Sequence, residues 1–300
     1  MAELFERYPA PGQYIEVNRH RLHLYDEGEG IPAVVFESGQ AGFSLDWMRV
    51  QPEVAKFSQA YSYDRAGLGW SDAGPHPRTP SRIVAELHSL LDVTEIPKPY
   101  ILVAHSLGGR YVRLYAHHYP DDVAGMVLVD PYNEAFDRAL GDRKLAAFKR
   151  GRTQQYRFFD LLARLGIARR FGNLVISLMG PDFRSMPDGE KARYAALVTR
   201  PDAMTTTIQE FDEALAAEKD FRSLTLPATM PLRVLRHGIP WPYADQEKIW
   251  QESQAELVAQ SAHGELAVAD RSGHSIMMAQ PELVIETIQK IVTLVRSTSS

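Results

Sequence analysis

The stretch Tyr100-Ile101-Leu102-Val103-Ala104-His105-Ser106-Leu107-Gly108-Gly109 decides the fold, because it reads as a buried strand, a sharp turn with a serine at its tip, and a helix start. The apolar run from Ile101 to Ala104 suits a central parallel strand covered on both faces, and residues 107–119 suit a helix packing back over it. Ala104 and Gly108 stand two positions either side of Ser106, where larger side chains would collide as the backbone doubles back through a strained turn. A serine held there lifts its hydroxyl above the sheet edge. The first amides of the following helix, that of Leu107 foremost, then point toward any oxyanion formed beside it.

Working outward, residues 14–26 alternate as a hairpin around the polar turn Asn18-Arg19-His20. Ala33-Val34-Val35-Phe36 is a short buried strand running into Glu37-Ser38-Gly39-Gln40, and residues 61–69 read as a strand with a glycine-containing turn. Gly67 and Gly69 are too few for a dinucleotide fingerprint and lead into no helix; Asp64 and Arg65 read as braces of that turn. A helix over 81–92 precedes the elbow strand and another strand, 124–130, follows the elbow helix, a rhythm that means right-handed crossovers and a parallel sheet. After Pro131 the pattern changes. To about Leu226 no strand-like run interrupts a series of amphipathic segments, with Phe158, Leu161, Leu162 and Leu165 on one helical face and Ile208, Phe211 and Leu215 on another. Strands resume at 232–237 and 266–269 with a helix near 245–260 between them, and a last helix opens at Pro281. The expected organisation is a core of residues 1–130 and 227–300 carrying a helical cap, 131–226, inserted between the sixth and seventh strands.

Of the 300 residues, 45% are hydrophobic and 24% charged, the balance of a soluble globular chain. A net charge of −5 argues against a general nucleic-acid partner, and no run is long enough to span a membrane. The absence of cysteine excludes disulfides, a thiolate nucleophile and zinc-thiolate or iron–sulfur sites. The first residues, Met1-Ala2-Glu3-Leu4-Phe5-Glu6-Arg7, lack the basic start and apolar stretch of a secretory signal, so a cytoplasmic location is expected. Between Arg143 and Arg170 stand nine basic residues against one acid, Asp160. That imbalance either attracts anionic substrates or lipid headgroups or is a solvated helix face.

The elbow resembles that of the α/β-hydrolase family, written G-x-S-x-G, with Ala104 in place of the first glycine, and further landmarks follow in the family's order from about residue 14 to 297. The resemblance implies a mostly parallel central sheet flanked by helices, with Ser106 as nucleophile followed in sequence by an acid and a histidine. His274, in Ser272-Gly273-His274-Ser275 after the last strand, looks like the family's histidine loop. His237 ends a strand and reads as a packing residue near the site, His117 and His118 as a solvated helix end, and His105 as a packed neighbour pointing away from the serine hydroxyl. For the acid, the commoner family position is the loop after strand 232–237, but Gly238-Ile239-Pro240-Trp241 puts a tryptophan there. Asp245 beyond it reads as a helix-start charge. Some members place the acid one strand earlier, where Asp130 ends an apolar strand at the sheet's carboxyl edge; Asp130 is the better placed of the two. The loop after the third strand supplies one oxyanion amide in the family, and with Ser38-Gly39 replacing the usual His-Gly that amide is assigned to Gln40.

The implied activity is hydrolysis of a small carboxylic ester with an apolar acyl group through an acyl-enzyme, needing no cofactor or metal. Members with aspartate at the elbow open epoxides or remove halides, and Ser106 argues against that chemistry. Two other readings stay open: amide or peptide hydrolysis, which needs an acid such as Glu37 or Glu134 for the substrate amine, and a noncatalytic ligand receptor on the same scaffold. Glu134 otherwise reads as an exposed helix start.

Overall fold

The computed structural model of the protein describes residues 2–165 and 172–298. Asn18 and Arg19 take φ of 51° and 73°, the paired left-handed geometry of a two-residue hairpin turn, and join β1 (Gln13–Val17) to β2 (His20–Glu27). The remaining strands are β3 (Val34–Glu37), β4 (Ala60–Tyr63), β5 (Tyr100–His105), β6 (Val123–Val129), β7 (Leu232–His237) and β8 (Gly264–Ala269). They form one eight-stranded sheet in the order β1-β2-β4-β3-β5-β6-β7-β8. The β1–β2 and β2–β4 pairings are antiparallel; from β4 through β3, β5, β6 and β7 to β8 every pairing is parallel. A sheet of that kind must be covered on both sides. The period of two divides its side chains accordingly: Leu102, Ala104, Met126 and Leu128 enter one core, Ile101, Val103, Val127 and Val129 the other.

Helices α1 (Ala2–Arg7), α2 (Gln51–Val54), α3 (Pro80–Val93) and α4 (Gly108–His118) belong to the first half of the chain. Between β6 and β7 run α5 (Glu134–Arg164), α6 (Gly172–Met179), α7 (Asp188–Val198), α8 (Pro201–Ala216) and α9 (Glu218–Arg222), and α10 (Ala244–Val258), α11 (Ile276–Ala279) and α12 (Pro281–Thr298) complete the chain. Local sequence sets the starts. Thr79 caps α3 by accepting from the Arg82 amide, with Pro80 in the first turn. The Asn133 side chain accepts from the amides of Ala135 and Phe136 to open α5. Gly141, at φ 75° and ψ 156°, breaks α5 near its beginning. No described helix is long and apolar enough to cross a membrane.

Two expectations need correction. Phe158, Leu161 and Leu165 do not bury as a face: they are 52%, 53% and 63% exposed, whereas Tyr156 and Phe159 are 9% and 8% exposed. This part of α5 is apolar around much of its circumference, so spacing alone leaves the phase of its inner stripe undetermined. Glu134 is not an exposed helix start either, because the buried Arg113 reaches up from α4 and grips it with two bonds of 2.7 and 2.8 Å.

Candidate active site

β5 ends in the elbow that its sequence requires. Ser106 has φ 50°, in the left-handed region where a side chain is strained. Its amide donates to Val129 O at 3.1 Å, and its carbonyl accepts from Gly109 and Tyr132 at 3.0 and 2.9 Å, which holds the turn in place. Gly108 fits beneath the loop after β3 because it has no side chain; a Cβ there would lie 2.6 Å from Ser38 O. Gly39 approaches from the other side, where a Cβ would stand 2.7 Å from His105 Nδ1 and 3.1 Å from Ser106 Cβ.

The Ser106 Oγ lies 2.9 Å from His274 Nε2, and His274 Nδ1 lies 2.6 Å from Asp130 Oδ2. An ionised carboxylate only accepts, so the Nδ1 proton is fixed on His274 and the Nε2 lone pair is left to accept the serine proton. Asp130 ends β6 with φ 44° and no solvent exposure. Its Oδ1 accepts from the Trp250 indole at 3.0 Å and the His237 amide at 3.1 Å, and its Oδ2 receives a second imidazole, His237 Nδ1, at 2.7 Å. Burial pushes the Asp130 carboxyl up, but the hydrogen bonds from His237 and His274 outweigh it and hold the group well below the usual carboxylate range. Asp245, by contrast, is exposed at the start of α10 and pairs with Lys144 at 2.6 Å.

His237 does more than pack. Its Nε2 lies 2.9 Å from Glu247 Oε2, and its ring stacks on Trp241 with centroids 5.3 Å apart. Asp130, His237 and His274 each offer one ligand atom within 4.8 Å of the others, the only such grouping among the described residues. The 2.6 and 2.7 Å contacts to one oxygen are hydrogen-bond distances; ligands about 2.0 Å from a shared tetrahedral ion stand roughly 3.3 Å apart. His105 turns away from the serine and meets His274 O at 3.0 Å through Nε2. Burial and the neighbouring His274 push it down to about 3, so it is the neutral donor in that bond. Asp182 accepts from the amides of Gly273 and Ser275 and pins the His274 loop from both sides.

The loop carrying Gln40 is held by Arg65, whose guanidinium donates to Ser38 O at 2.7 Å and Gly39 O at 2.8 Å while pairing with Glu37 and Glu210. Asp64 accepts from the amides of Ser44 and Trp70, both at 2.7 Å. Both residues thus brace the loops as expected. Neither the Gln40 nor the Leu107 backbone amide meets an acceptor among the described residues. Ser106 and His274 open onto two cavities, one of about 140 Å³ walled by Tyr156, Phe159, Phe183, Tyr194 and Met204, the other of about 350 Å³ walled by Tyr132, Phe148, Phe211, Trp241 and Trp250.

A sequence model of the alpha/beta hydrolase family matches residues 34–287. The chain belongs to the alpha/beta hydrolase family. Among curated relatives, this hydrolase-family chain is 35% identical over 116 residues to the uncharacterized protein YqjL of Bacillus subtilis, a match covering 39% of this chain and 43% of that one. It spans less than half the length of the first curated relatives it matches. Solved structures share its fold over nearly the whole length. A thermophilic esterase from Thermogutta terrifontis superposes with a TM-score of 0.69 at 20% identity, over 94% of this chain and 99% of that one. A putative epoxide hydrolase from Pseudomonas aeruginosa gives 0.74 at 17%, over 95% and 96%.

Sequence reasoning did not single out Glu247 or Arg152. Glu247 lies on a helix start with no spacing signal toward His237. Arg152 is one of the nine basic residues between Arg143 and Arg170, of which Arg169 and Arg170 lie outside the described residues, yet its Nη2 lies 3.0 Å from Gln40 Oε1.

Proposed function

We propose that this alpha/beta hydrolase is a serine hydrolase that cleaves carboxylic esters through an acyl-enzyme, with residues 131–226 forming a cap over the site. The observation that carries the reading is the continuous run of hydrogen bonds from Asp130 through His274 to Ser106, at 2.6 and 2.9 Å. In the first half-reaction Ser106 Oγ attacks the acyl carbon as His274 Nε2 takes its proton, and the amides of Gln40 and Leu107 receive the oxyanion. Collapse of the tetrahedral intermediate breaks the carbon–oxygen bond, and the alcohol leaves with the proton from His274. Water then attacks the acyl-enzyme, gives a proton to the same imidazole, and releases the carboxylic acid and the serine. The smaller cavity, which Phe159, Val175, Phe183, Met204 and Met277 help to line, suits an acyl chain.

A fluorophosphonate probe should label the parent at Ser106, and Ser106→Ala should lose both labelling and several orders of magnitude of ester turnover. Asp130→Asn should fall by about 10⁴ in kcat, since the amide fixes the wrong imidazole tautomer. Asp245→Asn, whose side chain is solvated, should stay near the parent. All are measured on p-nitrophenyl acetate with folding checked by circular dichroism. Near-parental turnover by Ser106→Ala would overturn the reading, and a loss in Asp245→Asn without one in Asp130→Asn would move the acid.

A further inference from the structure

Each arginine buried among the described residues carries a carboxylate. Arg65 has Glu37 and Glu210, Arg78 has Glu86, Arg110 has Asp137, Arg113 has Glu134 and Arg200 has Asp202. That is what burial demands, because an uncompensated guanidinium in a low-dielectric wall is costly. Arg152 of α5 departs from the pattern. Its guanidinium is half-buried where the two cavities meet at Ser106, and it donates only to neutral oxygens: Gln40 Oε1 at 3.0 Å, Tyr156 Oη at 3.4 Å and Gln155 Oε1 at 3.4 Å. No carboxylate among the described residues pairs with it. Its Nε and the adjacent Gln40 Nε2 are both buried donors with no acceptor.

The two cavities differ in what they place opposite this cation. The smaller one contains Asp46, a buried carboxyl that accepts from Tyr194 at 2.6 Å and that burial pushes up to about 7, so near neutral pH a substrate anion there would meet a partly ionised carboxylate. Among the described residues the larger one has no aspartate or glutamate in its lining; its walls are aromatic, and Arg152 is the one fully charged group among them. We propose that Arg152 anchors a carboxylate carried by the part of the substrate that fills the larger cavity, so that the site selects anionic esters. A single guanidinium assisted by one amide matches the single charge and planar fork of a carboxylate, whereas a phosphate dianion would call for a second cation. The inference rests on the serine-hydrolase reading for the reaction, though not for the binding of the anion.

The test compares isosteric esters in two placements: p-nitrophenyl hemiglutarate against p-nitrophenyl isoheptanoate for an acyl-side charge, and the acetate of para-hydroxybenzoate against that of para-isopropylphenol for an alcohol-side charge. In one placement the parent should favour the anion by about tenfold or more in kcat/KM, the range expected of a charge-assisted hydrogen bond. That ratio should collapse toward one in Arg152→Gln and survive in part in Arg152→Lys. Independently of turnover, glutarate or para-hydroxybenzoate should raise the Tm of Ser106→Ala and lose that effect in Ser106→Ala/Arg152→Gln. Ester hydrolysis with no preference for either anion, or no Tm shift with either carboxylate, overturns the anchor. A Tm shift without any Ser106-dependent turnover keeps the anchor and removes the hydrolase. Should Arg152→Gln fail to fold, the parent's ratio and the Ser106→Ala melting shift decide.

Discussion

A histidine with an ionised carboxylate on each ring nitrogen must donate from both. His237 is in that position, between Asp130 and Glu247 at 2.7 and 2.9 Å, and is therefore an imidazolium. Burial pulls its pKa down, but the bonds to Asp130 and Glu247 outweigh it and push the group up to about 9. Its ordinary value is about 6.5. A folded-state value above the unfolded one means that the stabilisation is complete below about pH 6.5 and lost as the pH rises through the folded value. Urea midpoints followed by circular dichroism should therefore fall between pH 6.5 and 9.5 in the parent, and the fall should be shallower in His237→Gln. Equal slopes would make His237 a neutral ring. The meeting of Ser106, Asp130 and His274 was legible in the sequence because each stands at the end of an apolar strand or in the loop just after one. The link from His237 to Glu247 could not, because ten positions across a strand end and a helix start say nothing about which side chains face each other.

At the scale of the element, α5 shows where periodicity stops informing. The stripe at 158, 161, 162 and 165 has helical spacing, but so do Arg152, Tyr156 and Phe159, and the second set lines the smaller cavity. Nothing local to the helix chooses between them; the sheet edge beneath, with its serine and its loop at 40, does. Phe159→Ala should change the ranking of acyl chain lengths and cost about 3 kcal/mol of stability, since it empties a packed position. Phe158→Ala, more than half exposed, should change stability by no more than about 0.5 kcal/mol and leave the ranking as it was. Esters of graded acyl length and urea denaturation together check both. The strands were legible for the opposite reason, because a strand buried on both faces such as Ile101–Ala104 has no phase to choose.

For the molecule as a whole, the helices between β6 and β7 are fastened to the core by buried charge. Glu210 of α8 grips Arg65, and Arg65 holds the Ser38 and Gly39 carbonyls, so one contact joins a helix from between β6 and β7 to the loop that carries Gln40. Glu210→Ala leaves Arg65 with Glu37 alone. It should cost about 3–5 kcal/mol in urea denaturation, as expected when one member of a buried pair is removed, and lower kcat more than it raises KM. Unchanged kcat in a folded variant would separate the helix from the loop. Distance along the chain matters in another way. His274 is 144 positions from Asp130 and 168 from Ser106, and the helices between β6 and β7 lie between. Contacts of such long sequence separation are slow to close. The serine elbow, made of neighbours, can form early in folding and stay inert until β8 and the loop behind it dock. Recovery of turnover during refolding therefore times the closing of this 168-residue loop, and it should lag behind the return of helical signal.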